Sequence, residues 1–175
     1  MKQQDHIGFY NWVKFLIAGI LMLFFLNSNS QENYVKLPKT QSSCPMIIVN
    51  DNIIANESFI NKYKTLIIKV RVLKDRHYHT VHRSSNLSEN GTVFVELDQK
   101  IKTKSQCDLN KFFGIDKNND VYVNGYLIED AKYKIAVESI IDIELITPNS
   151  TNKLKRKSIN VWTITKEERE QGCKQ

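Results

Sequence analysis

The run I-I-V-N-D-N-I-I at residues 47–54 returns as V-Y-V-N-G-Y-L-I at residues 121–128. A chain carrying one local pattern twice is constrained to a fold in which both copies do the same thing, so internal similarity bounds the architecture first. Each copy reads as strand, two-residue turn, strand, because Asn-Asp and Asn-Gly tolerate the positive φ of tight hairpins. A short helix follows in each half, capped by Asn56 in the first and Asp130 in the second. Phe59 and Tyr63 stand four apart and share a helix face, as do Tyr133 and Val137, each 74 positions further on.

A third strand follows each helix. Alternation places Ile68, Val70 and Val72 on one face of the first, and Ile141, Ile143 and Leu145 on one face of the second, now at an offset of 73. A polar loop and a closing strand complete each half, at residues 92–97 and 159–165. The expected class is α+β, with two ββαββ-type units, short helices packed on small sheets, after an N-terminal signal helix. The expected boundaries are a signal peptide at 1–30, an extended linker at 31–44, unit 1 at 45–106, unit 2 at 107–166 and a polar tail at 167–175.

The outward residues of the third strands are Lys69 and Arg71 in the first half and Asp142 and Glu144 in the second. Opposite charges on paired strands attract, so these residues are candidates for pairing that joins the two halves; solvated faces of unlike charge are the alternative.

Lys2 and Lys14 precede an apolar run at residues 15–26, followed by the polar stretch N-S-N-S. That is the order of a secretory signal, with Ser28 and Ser30 placed for a cut before Gln31. The run makes about 18 Å of helix, short of the roughly 30 Å hydrocarbon core. An uncleaved anchor in the inner membrane is the second reading of this segment. Export favours disulfides, and Cys44 with Cys107 would clip the first half shut, leaving Cys173; three free thiols is the alternative.

The motifs P-M-I-I-V-N-D at 45–51, V-L-K-D at 72–75 and N-G-T-V-F-V at 90–95 resemble the plug domain of TonB-dependent outer-membrane receptors. The second half, V-Y-V-N-G at 121–125 through I-N-V-W-T-I-T-K at 159–166, is similar to a more diverged copy. The tyrosine-glycine element that the family carries between its last two strands is absent from both halves, and 175 residues cannot supply the receptors' barrel. The resemblance implies two free-standing plug-like units at the cell envelope, working through contacts with an envelope or outer-membrane protein.

His77, His79 and His82 fall in one window. In an extended stretch the first two point the same way and the third could complete a face for zinc or copper, with Asp75 and Glu89 as nearby carboxylates. Arg76 and Arg83 flank the cluster and oppose a cation. The run D-K-N-N-D at 116–120 has alternating oxygen donors, yet Val121 and Leu127 stand where a calcium loop needs glycine and glutamate, so it reads as a turn.

The chain has six glycines, no G-x-S-x-G and no phosphate-cradling loop, so no enzyme is expected. Its net charge of +6 owes much to Lys153, Lys155, Arg156 and Lys157, a solvated basic run without the interleaved aromatics of a nucleic-acid site. The expected function is a non-enzymatic, exported, envelope-associated protein-binding or assembly module, needing no cofactor and touching membrane only through its N-terminal segment. The alternative is a periplasmic metal-binding protein built on the histidine cluster.

Overall fold

The computed structural model describes residues 35–38, 40, 43–74, 86–152 and 154–173. The signal segment expected at 1–30 lies outside them. Among the described residues no helix is long and apolar enough to cross a membrane.

Two hairpins frame the fold. β1 (Met46–Val49) pairs antiparallel with β2 (Ile53–Ala55), and β6 (Val121–Val123) with β7 (Tyr126–Leu127). Their turns hold Asn50 at φ 46° and Asp51 at 64°, then Asn124 at 50° and Gly125 at 87°. Consecutive positive φ values match the twist of the flanking strands, and few residues other than Asn, Asp and Gly adopt them without strain.

Each turn asparagine also ties its hairpin to a later strand. Asn50 Oδ1 accepts from the Leu97 N–H at 2.9 Å while its Nδ2 donates to the Leu97 carbonyl at 3.1 Å. Asn124 Oδ1 accepts from the Thr163 N–H at 2.8 Å while its Nδ2 donates to Thr163 Oγ1 at 2.8 Å. An amide suits this position because it offers a donor and an acceptor on one short side chain.

The remaining strands repeat one connection. β4 (Thr92–Leu97) runs parallel to β1 with Val49 opposite Val95, and β10 (Ser158–Trp162) runs parallel to β6 with Val123 opposite Val161. β3 (Ile67–Leu73) returns antiparallel with Val70 opposite Val95, and β9 (Asp142–Ile146) does so with Ile143 opposite Val161. The spatial orders are β3-β4-β1-β2 and β9-β10-β6-β7. Val49 to Val123 spans 74 positions and Val70 to Ile143 spans 73, the shifts read in the sequence.

Outside that frame the halves differ. α1 (Glu57–Lys62) forms as expected, Asn56 Oδ1 accepting from the Phe59 N–H at 2.9 Å. The helix expected after Asp130 does not form. Asp130 instead closes a turn, its carboxylate accepting from the Lys132 N–H at 3.0 Å and its carbonyl from the Tyr133 N–H at 3.2 Å. The chain then extends as β8 (Lys134–Ala136), which joins the first half's sheet between β2 and β5 (Thr103–Ser105) and brings it to six strands. A helix this short is marginal by itself, and pairing with two strands satisfies more backbone groups.

Two further helices were not anticipated. α2 (Gln106–Phe112) opens with a capping box of Ser105 and Asp108, so the boundary drawn between 106 and 107 falls inside a helix. α3 (Lys166–Gln171), capped by Thr165 and Glu168, occupies the segment expected to be a polar tail.

The strands bury two apolar layers. Met46, Ile48 and Ile54 of the larger sheet share one cluster with Val121, Val123, Ile159 and Val161 of the smaller. Phe59 of α1 covers the other face of the larger sheet, packing with Val49, Ala55, Val95, Leu97 and Ala136. Burying each such Val, Leu, Ile, Met or Phe side chain contributes about 1.5–3 kcal/mol.

Candidate functional site

β3 and β9 occupy corresponding places, each ending its sheet. Half the backbone N–H and C=O groups of an end strand have no partner in the sheet, which makes it a template for another strand. β3 leaves a 3₁₀ turn (Lys64–Leu66) and carries a register irregularity between Ile67 and Lys69.

The alternation in β3 is present, but its expected inward face is not buried. Ile68, Val70 and Val72 are 64%, 51% and 51% exposed. Val70 and Val72 lie opposite Val95 and Val93, on the face that α1 covers. The helix packs against Val93, Val95 and Ile67 and leaves these two valines in solvent. On the other face Lys69 lies opposite Glu96, and the Arg71 guanidinium sits 4.9 Å from the Phe94 ring centre. An open groove of about 560 Å³ runs along this face, lined by Asn50, Asp51, Lys69, Arg71, Phe94 and Glu96 among others.

β9 repeats the arrangement with the charges inverted. Ile141 and Leu145 are exposed, while Ile143 is half-buried against the inter-sheet core. On the opposite face stand Asp142, opposite Trp162, and Glu144, opposite Asn160. Arg169 of α3 reaches Glu144 at 3.7 Å and stacks 4.1 Å from the Trp162 ring centre.

The expected pairing of Lys69 and Arg71 with Asp142 and Glu144 is not found. β3 pairs with β4 and β9 with β10, in different sheets, so the four charges do not meet across a ladder within the chain. The halves are instead joined by β8 and by a polar contact that the sequence reading missed. Lys62 Nζ donates to Glu138 Oε2 at 2.5 Å, and the Tyr63 hydroxyl donates to Glu138 Oε1 at 3.1 Å. The Lys62 hydrogen bond holds the Glu138 carboxyl below its ordinary range, and Glu138 in turn holds the Lys62 ammonium above its own. Nearby, Ser139 Oγ accepts from the Asn56 N–H at 3.1 Å.

The cysteines pair differently from the expectation. Cys44 is bonded to Cys173, with the Cα atoms 5.1 Å apart, and Cys107 is a free, half-buried thiol. The reason is α3, which carries the end of the chain back to the start of β1, whereas Cys107 is held in the first turn of α2.

His77, His79 and His82 lie outside the described residues, as does Asp75. Glu89 is engaged by Lys36 at 2.6 Å. Among the described residues no group of three His, Cys, Asp or Glu side chains is gathered to hold a metal ion. Asp116 forms the turn read from sequence, its Oδ1 accepting from the Asn118 N–H at 2.8 Å. The described geometry thus offers strand-accepting edges. No family model matches the chain, and no curated protein or solved structure does either.

Proposed function

We propose that this chain is a non-enzymatic, exported, envelope-associated binding or assembly module built from two plug-like units. The observation that carries this reading is β3, an end strand with three apolar side chains more than half in water. A soluble protein rarely leaves a long apolar edge uncovered, because such an edge recruits other chains. The plug-like kinship rests on P-M-I-I-V-N-D and N-G-T-V-F-V, while the β3-β4-β1-β2 connection and its counterpart in the second half support the reading of two related units. The Cys44–Cys173 bond supports export, since disulfides persist in oxidising compartments.

The test is photo-crosslinking in an exporting host, with benzoylphenylalanine at position 70 of the full chain and, as a control, at the exposed position 100. A discrete adduct from position 70 in the envelope fraction, absent from position 100, is the expected result. No adduct from position 70 would overturn the reading.

A further inference from the structure

We infer that the occupant of the β3 edge is the β9 edge of a second copy of this chain, so that copies join head to tail through a shared sheet. The inference rests on the binding reading above and names its partner.

The argument is one of register and sign. Set antiparallel beyond the irregularity at Ile68, the two strands match over four successive pairs: Lys69 with Glu144, Val70 with Ile143, Arg71 with Asp142, and Val72 with Ile141. Every apolar residue meets an apolar residue and every cation meets an anion. The strands are free to do so because each ends its own sheet. Ile141, one residue before β9, already extends the ladder through its N–H to the Trp162 carbonyl at 2.9 Å.

The same charges exclude the symmetric alternatives. β3 against β3 would oppose Lys69 and Arg71 with their own copies, and β9 against β9 would do likewise with Asp142 and Glu144; like charges directly opposite are destabilising. Only the mixed pairing is complementary. A mixed pairing is heterologous, so it leaves one β3 and one β9 free at the ends and grows into a ring or an open filament. Arg169 competes for Glu144, but at 3.7 Å, with Glu144 nearly half exposed, the contact is loose and yields readily to a better-placed cation.

Paired cysteines test the register. Two tagged full-length chains, both Cys107→Ser, carry Val70→Cys in one and Ile143→Cys in the other and are co-expressed in an exporting host. Residues directly opposite on antiparallel strands lie within disulfide reach, so an inter-copy disulfide is expected from this combination. Val70→Cys combined with itself should give about tenfold less. Lys69→Glu with Arg71→Glu in the first copy should remove the band, and adding Asp142→Lys with Glu144→Lys in the second should restore it. Circular dichroism of each purified variant verifies folding.

A stronger band from Val70→Cys with itself, or no band from the mixed pair in folded chains, would overturn the inference. If position 70 crosslinks to a different protein while the mixed pair gives no band, the self-assembly inference fails and the binding reading survives. No adduct of any kind removes both.

Discussion

The first half ends in a strand bearing Lys69 and Arg71, the second in one bearing Asp142 and Glu144, yet the strand connection and register behind these two edges are the same. The frame repeats where apolar side chains and turn geometry set it, and it diverges where solvent is the neighbour. The turn asparagines show a second contrast. Asn50 is exposed and Asn124 buried, although their partners Leu97 and Thr163 are both buried. One hydrogen-bonding device therefore sits in two environments, and its worth should differ between them.

The bond between Cys44 and Cys173 ties the start of the first half to the end of the second. Cys173→Ser should cost up to about 5 kcal/mol on chain-entropy grounds, read as a lower urea midpoint under oxidising conditions. Equal stability of variant and parent would mean that the halves need no covalent tie. Next in size is Asn124→Ala, at about 3 kcal/mol, since it strands a buried backbone N–H and places alanine at positive φ. Asn50→Ala should cost about 2 kcal/mol, because it too places alanine at positive φ while the exposed turn lets water replace part of its contacts. Equal losses at the two positions would erase the distinction drawn here.

A swap sharpens the turn comparison. Gly125→Asp should destabilise by about 2 kcal/mol, as a Cβ there would meet Thr40 Oγ1 at 2.2 Å at a φ of 87°. Asp51→Gly, at the corresponding place, should stay within about 0.5 kcal/mol of the parent by the same assay.

The smallest effect belongs to Glu138. Its carboxyl titrates below the ordinary 4.5, so its contribution is present above that pH and fades as acid passes through the lowered value. Lys62 titrates above 10.5, so its share is present below that and is lost at higher alkalinity. Across neutral pH the contact should be flat. Urea midpoints of the parent should fall faster below pH 4.5 than those of Glu138→Gln; parallel curves would remove the contact from the account.

Much of the frame was legible because it rests on local rules. Asn50 and Asn124 announce tight turns, and the short apolar runs of β1, β4, β6 and β10, bounded by turn residues, mark largely buried strands. The Lys134–Ala136 segment was misread because a few residues of helical spacing cannot reveal that a distant strand, β2, offers a better partner. The exposure of Val70 was equally hidden: alternation reports which residues share a face, not how far α1 reaches across it. By contrast, α2 and α3 had visible signals in S-Q-C-D and T-K-E-E, both with a hydroxyl three positions before a carboxylate. The Cys44–Cys173 pairing depended on α3 and so was out of reach once that segment was read as a tail. The four charges on the edge strands were read as a pairing between the halves, which sequence could not settle because it does not say which ladder a strand joins.

The cystine has one mechanical consequence. With Cys44 bonded to Cys173 across a separation of 129 positions, the sheets lie inside a covalent ring. Tension drawn along the polypeptide from outside that ring loads the Lys36–Tyr126 bridge, then travels through the sulfur atoms and bypasses every ladder of the two sheets. Reduction would route the same load through the ladders, so the redox state of the surroundings decides whether pulling on this module can unravel it.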